Sequence, residues 1–132
     1  MIFIDVRDRR PIYEQLVERF SDLMIRGVLT TDSPMPSVRT LAAELSITPN
    51  TVQRAYAELE RQGYIYSIKG KGSYVADVAP LLEKGRIRIC SELSDLAGRA
   101  FRAGMSEEEF VSCAGRYFKE SQQAGEGEAH HD

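Results

Sequence analysis

Three short groups of residues carry side chains suited to recognising a polyanion. Lys69-Gly70-Lys71-Gly72 alternates two ammonium groups with two glycines, so the charges stand on a backbone with almost no bulk between them. A tip of this kind enters a minor groove or lies along phosphates. Ser37, Arg39 and Thr40 follow Pro36, where the N-terminus of a helix would turn its amides and its dipole toward an anion. Thr48, Asn50, Thr51, Gln53 and Arg54 crowd hydroxyl, amide and guanidinium donors into one short stretch. Arginine reads guanine edges in the major groove, and asparagine or glutamine reads adenine edges. Each group has an ordinary reading too: a solvated glycine turn, a surface ion pair from Arg39 to Asp32 or Glu44, a solvated helix face. Their mutually consistent positions strengthen the nucleic-acid reading.

Other chemistries find little support. The only histidines, His130 and His131, sit in a polar stretch with no cysteine spaced to help them, so no metal site is expected. Neither a phosphate loop nor zinc-ligand spacing occurs, and no histidine is available within the folded part for acid–base work; no cofactor and no enzymatic activity are expected. Cys90 and Cys113 read as reduced, partly buried thiols; the sharper alternative is an intersubunit disulfide or a redox sensor, but neither has a thiolate-stabilising cluster beside it in sequence. No run approaches 18 consecutive apolar residues, and Met1-Ile2-Phe3-Ile4 is interrupted at once by Asp5. A cytoplasmic protein without a membrane partner is expected.

The elements that must hold these groups follow from periodicity and punctuation. Ile2, Ile4 and Val6 alternate as a short extended arm. A helix runs from about Pro11 to Gly27 with Ile12, Leu16, Phe20, Leu23 and Met24 on one stripe. Thr30 to Pro34 reads as a loop. Ser37 caps a short helix whose inner positions are Val38, Leu41, Ala42 and Leu45, and Thr48 caps a third that ends at Gly63. Only Ser46 and Ile47 separate Leu45 from Thr48, which is helix-turn-helix spacing. On the third helix Val52, Ala55, Tyr56 and Leu59 share one side, while Asn50, Arg54, Ala57 and Arg61 fall opposite, with Thr51 and Gln53 on the flanks. The period then changes to two: Tyr64–Ile68, a Lys/Gly turn, and Ser73–Ala76 form a hairpin. Three helices followed by a β-hairpin predict an α+β fold, a winged helix-turn-helix over residues 1–76.

Net charge is −3, which by itself would not suggest DNA. Residues 1–78 hold ten basic and ten acidic side chains, however, and residues 79–132 hold seven and ten, so the deficit lies wholly in the C-terminal part. A neutral domain with a modest positive face binds DNA specifically while forgoing strong non-specific attraction.

Met35-Pro36-Ser37-Val38-Arg39-Thr40-Leu41-Ala42, Thr48-Pro49-Asn50-Thr51-Val52-Gln53-Arg54-Ala55-Tyr56, Leu59-Glu60-Arg61-Gln62-Gly63 and Lys69-Gly70-Lys71-Gly72-Ser73-Tyr74-Val75 resemble, in that order, the GntR family of bacterial regulators over about residues 10–76. The Pro11-Ile12-Tyr13-Glu14-Gln15 start, the Pro-Asn-Thr opening of the third helix and the short two-helix C-terminus are similar to the YtrA-type subfamily. The resemblance implies a dimeric repressor, often of a neighbouring transporter operon, in which Arg39, the third-helix N-terminus and the Lys/Gly tip touch DNA. Many family members carry arginine where this chain has Pro49 and Gln53, so those base contacts do not carry over. Ser46 stands where the family usually has glycine between the helices.

Residues 77–121 read as two further helices. Ile89, Leu93, Leu96, Ala97 and Ala100 line one, and Phe110, Ala114, Tyr117 and Phe118 line the next, opened by a Ser106–Glu109 capping box. Two helices are too few to enclose a ligand cavity unaided. Their stripes, with Ile89, Leu93, Leu96, Ala100, Phe110, Ala114, Tyr117 and Phe118 as contacts, suit a homodimer packed as a small bundle, which would present two reading heads to double-stranded operator DNA. A small-molecule effector would bind at that dimer interface, and no residue identifies one. The stripes folding back on the winged domain is the other reading. Residues 122–132 lack apolar content and are expected to be a disordered tail. The rival functional class is a protein-interaction winged helix, favoured by the acidic balance and disfavoured by Arg39 and the Lys/Gly tip.

Overall fold

A computed structural model describes residue 2 and residues 4–129. Its order is α1 (Ile12–Ile25), α2 (Val38–Leu45), α3 (Pro49–Gln62), β1 (Ile65–Ile68), β2 (Gly72–Val75), α4 (Ala79–Arg102) and α5 (Glu107–Ala129). Two compact units divide the chain within α4: residues up to Glu83 and residues from Lys84. The first unit therefore runs on past the boundary expected at residue 76.

In the first unit, α1 turns Leu16, Phe20 and Met24 into a core shared with Leu41 and Ala42 of α2, Val52, Ala55, Tyr56 and Leu59 of α3, and Ile65 and Val75 of the hairpin. Burying a full aliphatic or aromatic side chain stabilises by about 1.5–3 kcal/mol, so this cluster holds the three helices together. Ile2 and Ile4 of the arm pack against it, whereas Val6 is almost wholly exposed. The buried amide of Gln15 secures the arm: its oxygen accepts the Asp5 N–H at 2.9 Å and its nitrogen donates to the Arg10 carbonyl at 3.1 Å.

The hairpin pairs Ile65 with Val75, Tyr66 with Tyr74, Ser67 with Ser73 and Ile68 with Gly72. The segment read as a loop from Thr30 to Pro34 enters the sheet edge. Asp32 N–H donates to the Val75 carbonyl at 2.7 Å, Val75 N–H to Ser33 at 2.9 Å and Met35 N–H to Ser73 at 2.8 Å, with Pro34 bridging Tyr74. The connection to α2 is thus bound to β2.

Ser46 ends α2 at φ 56°, ψ 44°. In that left-handed region a Cβ crowds the following carbonyl, at roughly 1–2 kcal/mol. The conformation is kept because the Ile47 N–H reaches the Ala42 carbonyl at 3.0 Å, closing the helix and turning the chain into α3. The Ser46 hydroxyl makes no hydrogen bond among the described residues. Ser46→Gly is therefore expected to stabilise the fold by up to about 1 kcal/mol, the relief of strain exceeding the extra freedom glycine brings to the unfolded chain. A urea midpoint below that of the parent protein would refute this.

In the second unit, Ser106 and Glu109 form the expected capping box: the Glu109 N–H donates to Ser106 Oγ at 3.1 Å and the Ser106 N–H to Glu109 Oε1 at 3.3 Å. The helix so opened runs to Ala129, which corrects the disordered tail expected from residue 122. Extending an existing helix adds one hydrogen bond per residue fixed, and Gln, Ala and Glu are good formers, so low apolar content did not end it. Residues 130–132, with His130 and His131, lie outside the described residues. Cys113 is half-buried as expected; Cys90 is exposed, contrary to expectation, because its side of α4 finds no cover.

Candidate nucleic-acid interface

The chemistry-bearing residues of the first unit lie on the start of α2, on α3 and at the hairpin tip. Ser37 caps α2, its Oγ accepting the Thr40 N–H at 3.1 Å and donating to Thr40 Oγ1 at 2.7 Å. Thr48 caps α3 in the same way, accepting from the Thr51 N–H at 3.4 Å, with the two hydroxyls 2.9 Å apart. These four hydroxyls thereby set the two helix starts, and Pro49 begins α3 where its missing amide donor costs nothing.

Burial on α3 divides as the helical period requires. Val52, Ala55, Tyr56 and Leu59 are buried, Asn50, Gln53, Arg54, Ala57 and Arg61 are exposed, and Thr51 lies between. The helix is about 21 Å long at 1.5 Å per residue, enough to lie in a major groove along several base pairs. Tyr56 joins it to α2: its hydroxyl donates to the Pro36 carbonyl at 2.8 Å and its ring meets Phe20 edge-on at 5.9 Å. Burial pushes that phenol well above its ordinary pKa.

The cations differ in what they are free to do. Arg61 is committed to Glu58, with Nε donating at 3.0 Å, and this holds the Glu58 carboxyl down to about 2. Arg10 is committed to Asp8 and Glu18. Arg39, by contrast, is exposed and has no ion pair among the described residues, so neither surface pair considered for it forms. Asp32 instead accepts the Tyr66 hydroxyl at 2.8 Å, which raises the Tyr66 pKa. Lys69 and Lys71 are likewise exposed and unpaired among the described residues, on a loop where Gly70 (φ 79°) and Gly72 (φ 100°) take conformations that L side chains resist. Arg54 has no carboxylate partner among the described residues, yet it is not loose. Its guanidinium lies 3.8 Å over the ring of Tyr13 at the start of α1.

The sequence gives Tyr13 no sign of this contact. The Pro11-Ile12-Tyr13 start signals a helix, but nothing local pairs a ring at position 13 with an arginine on another helix.

Helices α4 and α5 expose their apolar side chains. Ile89, Leu93, Leu96, Ala114, Tyr117 and Phe118 are exposed, and Ala100 and Phe110 are half-buried. Ile87, Phe101 and Val111, which the stripes did not include, are exposed as well. No helix among the described residues is long and apolar enough to cross a membrane, and no group of side chains among them is arranged to hold a metal.

The model of the family described as "Bacterial regulatory proteins, gntR family" matches residues 12–75, the stretch that holds α1 to β2. The HTH-type transcriptional repressor YtrA of Bacillus subtilis (strain 168) is 39% identical to this chain over 110 residues, covering 82% of this chain and 85% of YtrA. The chain belongs to the GntR family. Within the GntR family its likeness is to the YtrA type. Its fold is shared by a solved transcriptional regulator from Oenococcus oeni, at TM-score 0.64 and 30% identity, over 89% of this GntR chain and 99% of that one. AraR(DBD) in complex with operator ORE1 matches 58% of this chain and 93% of that one at TM-score 0.50 and 26% identity. This GntR protein is a DNA-binding transcriptional regulator, a winged helix-turn-helix with a helical C-terminal region, and its family is one of regulators rather than enzymes.

Proposed function

We propose that this regulator is a repressor that binds a pseudo-palindromic operator as a homodimer and controls a neighbouring transporter operon. One observation carries the operator reading: the cations Arg39, Lys69 and Lys71, on elements that adjoin a capped α3, are exposed and unpaired among the described residues, while Arg10 and Arg61 are neutralised by carboxylates. Lys69 and Lys71, on their glycine turn, meet phosphates or the minor groove; Asn50, Gln53 and Arg39 face bases; Ser37, Thr40, Thr48 and Thr51 aim the helix starts. The structure of AraR(DBD) with an operator supports this use of the fold. The exposed stripes of α4 and α5 support the homodimer, because apolar faces of this extent on a soluble chain call for a partner. The repressor sign follows the likeness to YtrA, and the transporter operon follows the YtrA-type resemblance.

Selection of bound duplexes from a random pool, at physiological salt, tests the reading. The expected product is one inverted repeat whose half-sites lie about 10–10.5 base pairs apart or a multiple of that, as two-fold related heads require. A pool left unenriched, with no retention of DNA even at low salt, would instead place the winged domain among protein-interaction modules.

A further inference from the structure

We propose that Tyr13 is a positioning residue for DNA binding: its ring holds the Arg54 guanidinium so that Arg54 grips a backbone phosphate at the rim of the groove entered by α3. This rests on the operator reading above and adds to it a residue of α1.

The geometry separates two ways of occupying an arginine. Glu58 takes the edge of Arg61, where the N–H donors point, and leaves that cation little to offer a ligand. Tyr13 takes the face of Arg54, with the guanidinium carbon 3.8 Å from the ring centroid. Face-on stacking uses the π electrons and leaves the in-plane donors unspent. Arg54 is thus restrained yet fully able to donate, and it is exposed. An arginine side chain otherwise loses substantial rotamer freedom when it grips a ligand; the stack removes part of that loss beforehand. The ring itself is anchored, since Tyr13 is half-buried against the core and its hydroxyl reaches Glu14 at 3.4 Å.

The same geometry selects phosphate over base. A guanidinium stacked on a ring of α1 is held beside that helix and does not extend freely from α3 toward a base edge. The anion that a restrained, exposed guanidinium meets first on a duplex is a backbone phosphate. Fork-like guanidinium donors match it bidentately.

The test is a double-mutant cycle on the full-length protein, with binding measured on the selected duplex and on an unrelated one across a range of salt. Arg54→Ala is expected to weaken both duplexes alike, by about tenfold, as loss of a charge-assisted contact does. It should also make the salt slope shallower by about 1 per subunit. Tyr13→Leu should lose a large part of the same affinity, Tyr13→Phe little of it, and the Tyr13→Leu/Arg54→Ala pair no more than Arg54→Ala alone. Arg54→Lys, which leaves α1 intact, should also bind more weakly despite its charge, because an ammonium lacks the planar fork. Additive losses for the pair, or Arg54→Ala or Arg54→Lys binding like the parent protein, would overturn the assignment while leaving the operator reading in place. A parent protein that holds neither duplex would bring down both.

Discussion

Glutamates at Leu93 and Leu96 together are expected to leave the protein monomeric and to weaken its hold on an inverted-repeat operator by about 10²–10⁴-fold, the loss that follows when a linked second head no longer binds at high effective concentration. Both leucines lie on one side of α4, three residues apart, and both are close to half exposed in the single chain. In the proposed bundle they would be covered by the partner, and a carboxylate there would be stripped of water without a cation to meet it. The fold of each subunit should survive, because neither residue belongs to the core of the first unit. Affinity for an isolated half-site should accordingly be unchanged, which separates loss of pairing from loss of reading. Sedimentation and binding anisotropy on whole and half operators give both quantities. A variant that stays dimeric, or one that keeps full affinity for the whole operator as a monomer, would eliminate the α4 stripe as the source of two-headed binding.

Arg39→Ala carries the second large effect, about 1–3 kcal/mol on the selected operator, or roughly 5- to 150-fold. Arg39 occupies the first turn of α2, which two anchors hold in place: the Ser37 cap and the Tyr56 hydroxyl on the Pro36 carbonyl. Its head is exposed and makes no ion pair among the described residues, so truncation removes nothing from the fold and the thermal midpoint should not move. The loss should be concentrated at one base-pair position, with relaxed preference there and a smaller change on unrelated DNA. Equal affinity in the variant would remove Arg39 from the reading surface; equal losses on all sequences would make it a phosphate contact instead.

These predictions draw on features of unequal legibility. The buried side of α3 was plain in Val52, Ala55, Tyr56 and Leu59, because a helix repeats its face every three to four residues and the sequence displays that period directly. The caps at Ser37, Thr48 and Ser106 were equally plain, since a capping hydroxyl answers an amide only three residues away. What escaped was set by contacts distant in sequence. Thr30 to Pro34 carries turn formers and reads as a loop, yet β2 supplies hydrogen-bond partners to Asp32, Ser33 and the following Met35 some forty residues later. The Tyr13–Arg54 stack spans a similar separation, and neither residue shows a local sign of it. Ser46 kept a left-handed turn where glycine would be easier, because the Ile47–Ala42 bond and the packing of α2 on α3 outweigh one strained residue. From Gln122 onward the sequence lacks apolar side chains, yet the hydrogen bonding of a helix already under way carries it on to Ala129.

The three backbone hydrogen bonds that tie residues 32–35 to β2 make the hairpin and the start of α2 one stiff piece. The gap between Arg39 and the Lys69–Lys71 tip is then a fixed span, so the domain acts as a gauge of the duplex it grips. DNA whose groove is too narrow or too wide must deform to fill that span, and the work of deformation depends on base steps that no side chain touches. Operators sharing every contacted base would on this account still be ranked, by the flexibility of the steps between.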